Sequence, residues 1–143
     1  MTARPDALFD ITVLIDALLN EQESDNPSSA ILALAAERRV KGYVCAAAIE
    51  PLHDQLARDR GRAYARASLQ RICAVLTIAP VDAAVIDAAI ALGWPDLDDA
   101  LTYQSARMIG LERVITLNAP DFADASLAVQ APAEFLQALP TRY

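Results

Sequence analysis

The chain has 143 residues, of which 55% are hydrophobic and 22% are charged, and its formal net charge is −7. This length is enough for one sizeable core and too short for two comfortable domains, so we expect a single domain over residues 1–143. Because no apolar run approaches the roughly 20 residues of a membrane span and the start lacks a secretory signal, we expect a cytoplasmic protein without membrane contact.

The first half of the chain alternates segments typical of strands with segments typical of helices. Mixed Leu, Phe, Ile and Val over 7–15 indicate a buried parallel strand, and Asn26 followed by Pro27 indicates the start of a helix. The predicted elements of this half are a strand at 7–15, helices at 14–19 and 28–39, a strand at 43–45, and helices at 46–58 and 61–75.

The second half continues the same alternation. Asp82 is a predicted N-cap, Gly93 ends the helix that follows it, and Asp96 begins the next one. The predicted elements are a strand at 76–79, helices at 83–92 and 97–110, strands at 113–116 and 127–130, and a helix at 132–139. Parallel neighbours need crossover connections, so this alternation predicts an α/β fold: a three-layer α/β/α sandwich around a mainly parallel sheet of four or five strands.

Acidic side chains follow the apolar runs or begin the helices. The set consists of Asp10, Glu50, Asp96 and Asp99, together with Asn118 and Asp121 after the apolar run 114–116. In open parallel sheets, ligand sites form beyond the carboxyl ends of the strands. Acids brought together there repel one another unless a cation lies between them, so the pattern predicts a divalent-metal site.

A cluster of arginines qualifies the acidic net charge, which by itself argues against broad electrostatic binding of nucleic acid. Arg58, Arg62 and Arg66 repeat every four residues, so on one helix they would share a face and could grip successive phosphates. The ordinary alternative is a solvated helix side, partly neutralised by Asp54 and Asp59.

Several short motifs in order carry a resemblance to a known family. The chain reads Asp-Ile-Thr-Val-Leu-Ile-Asp at 10–16, Asp-Leu-Asp-Asp-Ala-Leu at 96–101, Thr-Leu-Asn-Ala-Pro-Asp-Phe at 116–122 and Pro-Ala-Glu-Phe-Leu at 132–136. With Glu50 between the first two, these stretches resemble the PIN-domain family, which includes the VapC-like ribonuclease toxins of bacterial toxin-antitoxin pairs. The family patterns are Asp-Thr-Asn-Val-Leu-Leu-Asp, Asp-Phe-Glu-Asp-Ala-Leu, Thr-Arg-Asn-x-x-Asp-Phe and Pro-Glu-Glu-Phe-Leu.

The resemblance implies a metal-dependent endoribonuclease that uses Mg²⁺ or Mn²⁺ to hydrolyse RNA. It also implies RNA and a cognate antitoxin as partners, and pairing of two copies. The implied roles by position are Asp10, Glu50 and Asp99 as central ligands, Asp96 and Asp121 as ligands directly or through water, Asn118 as a neutral ligand or substrate contact, and Thr12 and Thr116 as supporting hydrogen-bond groups.

Each assignment has an ordinary competitor. Helix capping explains Asp96 and Asp99 without catalysis, a solvated helix side explains Glu50, and a turn cap explains Asp121. Trp94 is interpreted as a core anchor rather than a surface on which a base stacks.

Three positions depart from the family pattern and keep a second function open. Ile11 and Thr12 stand where the family has Thr-Asn, and Pro51 directly follows Glu50. These departures favour a catalytically weak or silent module that binds RNA or a protein. A phosphoacceptor receiver domain, which needs a Lys near its end, is disfavoured because the sole Lys is Lys41.

Overall fold

The computed structural model describes residues 4–122 and 125–140; the single-domain prediction extends to 1–143, and its other residues lie outside that description. The strands are β1 (Asp6–Phe9), β2 (Lys41–Cys45), β3 (Thr77–Ala79), β4 (Arg113–Ile115) and β5 (Ala128–Gln130). The helices are α1 (Ile11–Leu19), α2 (Pro27–Ala36), α3 (Ile49–Arg60), α4 (Arg62–Val75), α5 (Ala83–Leu92), α6 (Leu97–Met108) and α7 (Pro132–Ala138). Short 3₁₀ helices cover Ala46–Ala48 and Ala119–Phe122.

The described strands form one parallel sheet in the order β3-β2-β1-β4-β5. Helices α1 to α4 carry the chain outward from β1 to β3, and α5 with α6 carries it back across the sheet to β4. Because crossovers between parallel strands are right-handed, these two sets of helices cover opposite faces. The predicted three-layer α/β/α sandwich is therefore confirmed, and its sheet has five parallel strands.

The centre of the sheet is fully buried, as a parallel sheet covered on both faces requires. Ala7, Leu8 and Phe9 of β1 are each 0% exposed, and β1 lies between β2 and β4. The next residue, Asp10, therefore stands at the carboxyl edge of the most enclosed strand, which holds its backbone in a rigid part of the fold.

The predicted first strand at 7–15 is wrong beyond Phe9, because α1 already begins at Ile11. Asp10 adopts an extended backbone, and its carbonyl accepts the N–H groups of Val13 and Leu14 at 3.0 and 3.2 Å. The apolar run is buried in both its strand part and its helix part, so its hydrophobic periodicity does not distinguish a strand from a helix. The position of the junction follows only from these backbone hydrogen bonds.

Two further expectations are corrected between β2 and β3. The helix predicted at 46–58 begins at Ile49, because Pro51 has no N–H to donate to the carbonyl of Ala47. The shared face of Arg58, Arg62 and Arg66 is not formed, since Gly61, with φ of +92°, separates α3 from α4. A residue with φ in this range does not continue a right-handed helix.

Candidate active site

Asp10 is a buried carboxylate where β1 passes into α1. Asp10 as a whole is 3% exposed, and its backbone N–H donates to the carbonyl of Ile115 at 2.9 Å. A buried ionisable group costs free energy unless hydrogen bonds or charges compensate for lost hydration. The partners of its side chain therefore decide whether it stays charged.

Two threonine hydroxyls provide that compensation. Thr12 Oγ1 and Thr116 Oγ1 each donate to Asp10 Oδ2 at 2.8 Å. Thr12 Oγ1 also accepts the N–H of Leu117 at 3.1 Å, and Thr116 Oγ1 accepts the N–H of Asn118 at 3.0 Å. Because a hydroxyl has a single proton, these backbone donors leave it for the carboxylate. Within the described residues no hydrogen bond reaches Oδ1, which remains available to a ligand.

Asp99, in the first turn of α6, is the most perturbed acid of the group. Its Oδ2 is cut off from solvent and finds no hydrogen-bond partner among the described residues. Burial, followed by the charges of Asp96, Asp10, Asp121 and Asp98, raises its pKa from 3.8 to about 7. The structure therefore brings these five acids, contributed by three segments of the chain, within electrostatic reach of one another.

A pocket of about 480 Å³ opens beside Asp99. Its lining consists of Trp94, Pro95, Asp96, Leu97, Asp99, Pro120 and Asp121. Asp96 also caps α6, since its Oδ1 accepts the N–H of Asp98 at 2.9 Å. Capping thus occupies one oxygen of Asp96 and leaves the carboxylate on the pocket wall.

Trp94 forms part of that wall and is also packed inward. Its ring stacks on Tyr103 with centroids 5.1 Å apart and meets the ring of Phe122 edge-on at 5.8 Å. These contacts agree with the anchoring role expected of Trp94, and they also give the acidic pocket an aromatic side.

A smaller gap of about 20 Å³ joins Asp10 to the start of α3. Ile11, Pro51 and Asp98 line it together with Asp10. Glu50 lies in the first turn of α3, and its side chain is exposed. Glu50 is not among the charges that raise the pKa of Asp99, so the structure does not bring it together with the other acids.

The other residues singled out from the sequence lie further out. Asn118 is exposed in the turn after β4, and its carbonyl accepts the N–H of Asp121 at 2.9 Å. Arg58, Arg62 and Arg66 are exposed on α3 and α4, and Arg58 donates to Gln55 Oε1 at 3.0 Å.

The chemistry of the donor set fits Mg²⁺ or Mn²⁺, because hard carboxylate oxygens are the ligands these cations prefer. The orphaned, buried Oδ2 of Asp99 is the observation that carries this fit. Within residues 4–122 and 125–140, however, no three His, Cys, Asp or Glu side chains are arranged to hold an ion. Like-charged carboxylates repel one another, so these side chains can approach to ligand distance only when a bound cation offsets the repulsion.

Asp98 has the sequence position of a solvated helix residue, and the structure shows it exposed in the first turn of α6. The structure places Asp98 beside Asp10 in the small gap and among the charges acting on Asp99.

Comparison with known proteins identifies the family of this arrangement. A family model described as PIN domain matches residues 6–120. No curated protein matches the sequence significantly.

Solved structures with the same fold include several toxins. VapBC2 from Rickettsia felis, bound to a DNA fragment from their promoter, superposes with a TM-score of 0.70 at 13% identity, covering 88% of this chain and 98% of that one. A toxin-antitoxin complex from Klebsiella pneumoniae gives 0.66 at 22% identity, covering 88% and 97%. VapC20 from Mycobacterium tuberculosis, a toxin that cleaves the sarcin-ricin loop, gives 0.64 at 17% identity, covering 82% and 94%. At these identities the likeness shows the fold.

Among the described residues, no helix is both long enough and apolar enough to cross a membrane.

Proposed function

The chain belongs to the PIN-domain family, whose model matches residues 6–120, and from this premise we propose that it is a metal-dependent endoribonuclease that hydrolyses phosphodiester bonds in RNA. The observation that carries the proposal is Asp99, whose buried Oδ2 lacks a hydrogen bond from any described residue while four carboxylates act on it. Such an arrangement is unfavourable for folding alone and favourable for binding a divalent cation.

Asp10, Asp99 and Glu50 would hold Mg²⁺ or Mn²⁺, with Asp96 and Asp121 completing the shell directly or through water. A bound divalent ion lowers the pKa of a coordinated water and offsets the charge that builds up on the phosphodiester during in-line attack. Glu50 is exposed and Asp10 is buried, so ligands would close on the ion from the solvent side and from the core side.

The remaining residues would orient the ligands and the RNA. Thr12 and Thr116 hold Asp10 Oδ2 in place, which leaves its other oxygen for a ligand. Asn118 would contact the substrate from the turn after β4. Arg58, together with Arg62 and Arg66, would contact RNA phosphates from two helices rather than from one.

We also propose that the protein is the toxin of a toxin-antitoxin pair that acts in the cytoplasm. Structures of the same fold include the Rickettsia felis VapBC2 and Klebsiella pneumoniae toxin-antitoxin complexes, which supports a protein antitoxin as its partner. A second copy of the chain is a further proposed partner. Sedimentation of the purified protein tests this pairing, and a single species of monomer mass would contradict it.

The nuclease proposal is tested with purified protein and a panel of structured RNAs. Cleavage is expected in Mn²⁺, and it should disappear with a chelator and in Asp99→Asn. Asp87→Asn on α5 is the matched control, because Asp87 is an exposed acid outside the acidic group. Cleavage that survives Asp99→Asn at the wild-type rate would defeat the proposed mechanism.

A catalytically silent module that binds RNA or a protein is the second candidate. Ile11 supports it, since this apolar side chain lines the gap beside Asp10 where the family has a hydroxyl. The absence of a ready three-ligand group in the described residues supports it as well. Calorimetry separates the two functions: Mn²⁺ binding that is lost in Asp99→Asn argues for the enzyme, and no binding argues for the silent module.

A further inference from the structure

A second polar pocket lies at the opposite edge of the sheet, where the strands begin. Its volume is about 310 Å³, and its cationic lining residues are Arg4, Arg38 and Lys41. Arg4 precedes β1, Arg38 follows α2, and Lys41 is the first residue of β2. The N–H of Lys41 donates to the carbonyl of Pro5 at 2.8 Å. Two separate stretches of chain, at 4 and 38–41, therefore bring cations to one concave surface, which we call the basic pocket.

The basic pocket concentrates positive charge in an acidic protein. No Asp or Glu lines it, and none of its three cations forms an ion pair with another described residue. Glu37, the acid next to Arg38 in sequence, pairs instead with Arg39 at 3.4 Å. Like charges repel one another when no acid lies between them, and the described residues supply no counterion to these three cations. An anion bound from solution would therefore be favourable there.

Two of the cations already make weak contacts that fix where they lie. An Nη atom of Arg4 donates to the backbone carbonyl of Arg38 at 3.2 Å. Lys41 Nζ lies 5.5 Å from the ring centre of Tyr43. Neither contact neutralises a full positive charge, and both leave donors for a ligand.

The backbone at Arg38 supplies an independent observation. Arg38 has φ of +62°, and it is the sole residue other than glycine with positive φ among the described residues. It follows the end of α2, where the N–H of Arg39 donates back to the carbonyl of Leu34 at 2.9 Å. Glycine is the favoured residue at this position of a helix end. An arginine stands there against that preference, and it is one of the residues that line the basic pocket.

Complementing helix dipoles is the competing explanation, because α2 and α4 both end near this edge. It accounts for cations close to the last carbonyls. It does not explain why one of these cations, Arg38, stands at a position where its φ is unfavourable for an arginine.

We propose that the basic pocket binds a phosphate monoester. A phosphate monoester carries nearly two negative charges at pH 7, which three cations neutralise better than the single charge of a phosphodiester. Guanidinium groups bind phosphate oxygens in pairs, and the ammonium of Lys41 binds them as a point charge. The volume admits a phosphate with an attached sugar or nucleoside.

Calorimetric titrations with a chelator in every sample test this site without involving the proposed metal centre. The probes are inorganic phosphate, adenosine 5′-monophosphate, adenosine, and a short RNA with either a 5′-phosphate or a 5′-hydroxyl. Phosphate and the monophosphate are expected to bind, and adenosine is not. The 5′-phosphorylated RNA should bind more tightly than the 5′-hydroxyl RNA, whose remaining binding reports the proposed substrate contacts. If the 5′-phosphorylated RNA binds tenfold tighter than the monophosphate, an RNA end is the ligand; equal affinity identifies a small phosphorylated molecule.

Variants decide whether the pocket is responsible. Arg38→Gly and Lys41→Gln should each weaken phosphate binding at least tenfold. Both variants introduce a residue that the local backbone conformation accepts. Arg107→Gln on α6 removes one positive charge elsewhere and should leave the affinity unchanged. Wild-type affinity in both pocket variants, or equal binding of adenosine and its monophosphate, would overturn the proposal, as would no binding of phosphate by the wild type.

Discussion

Thr116 Oγ1 donates a 2.8 Å hydrogen bond to Asp10 Oδ2, although 106 positions separate the two residues in the chain. The bond joins the end of β4 to the end of β1, and Thr12 donates a second bond to the same oxygen. The acidic site is thus built on contacts that also hold the centre of the sheet together.

Thr116→Val is expected to lower both stability and metal affinity. The substitution removes a donor to Asp10 and the acceptor of the Asn118 N–H, so the free energy of unfolding should fall by about 1–3 kcal/mol. Urea denaturation measures this loss. Thr12→Val provides the comparison, and the double variant should lose less than the two single losses combined, because the hydroxyls share one carboxylate oxygen. Strict additivity would show that the two bonds act independently.

The stability of the metal-free protein should depend on the protonation of Asp99. Its pKa is raised from 3.8 to about 7, so between these values the folded state holds a proton that the unfolded state has released. Stability is therefore greatest at the acidic end and falls as the pH rises through this window. The loss should be on the order of 1–2 kcal/mol after allowance for solvent screening.

Asp99→Asn isolates this effect from the other acids. Its stability relative to the wild type should rise from pH 4 to pH 7, as followed by urea denaturation in a chelator. Saturating Mn²⁺ should reverse the order at pH 7, because the cation stabilises the ionised wild-type carboxylate. A constant difference between the two proteins across the whole range would contradict the raised pKa.

Ile11→Thr should strengthen the proposed metal site at some cost to the core. The new hydroxyl would stand beside Asp10, where the chain departs from the family pattern, and it would replace an apolar wall of the small gap. We expect tighter Mn²⁺ binding by calorimetry and faster RNA cleavage, with a loss of about 1 kcal/mol in stability from the apolar burial that the removed carbon atoms provided. Ile11→Val, which keeps the wall apolar, is the control and should change neither affinity nor rate.

Trp94 should report on metal binding, because it is the one tryptophan of the chain and lines the pocket with Asp96, Asp99 and Asp121. Mn²⁺ is expected to quench its fluorescence in a saturable manner. The titration should lose saturation in Asp99→Asn and keep it in Asp87→Asn. Quenching that is the same in all three proteins would indicate collisions in solution and not a bound ion.

Arg38→Gly should stabilise the protein by about 1 kcal/mol, because glycine adopts the φ of +62° without steric cost. Arg38→Ala is the matched control, since alanine keeps the strain and should bring no such gain. Thermal denaturation of the three proteins provides the measurement. A gain of the same size in Arg38→Ala would assign the effect to lost charge repulsion and not to the backbone.

The order of elements could be predicted from the sequence because strong local signals mark it. Asn26 and Asp82 were expected to begin helices, and each side chain accepts an N–H in the first turn of its helix. Such caps depend on neighbours in the chain. The alternation of strands and helices then determines a parallel sheet, since crossovers leave few other arrangements.

The junctions could not be predicted, because they depend on contacts between distant residues. The break at Asp10 rests on backbone and threonine bonds to β4, and the apolar run around it has no period that reveals them. The four-residue spacing of Arg58, Arg62 and Arg66 would give one face only on a single helix, and Gly61, with positive φ, separates the two helices that were predicted there. For the site, the sequence indicated Asp10, Asp96, Asp99 and Asp121, which lie within electrostatic reach of one another, but it did not include Asp98. Only the fold shows that Asp99 is the acid with an oxygen cut off from solvent.

The central position of β1 has a consequence for the timing of the proposed activity. β1 precedes its neighbour β4 by about a hundred residues, since β4 begins only at Arg113, and Leu8 pairs with Val114. A nascent polypeptide that has emerged through α5 still lacks Asp99 and Thr116, the second of the two threonines that hold Asp10. Under the proposed function, such an unfinished copy would lack the complete site, and RNA cleavage would begin only after β4 has emerged and paired with β1.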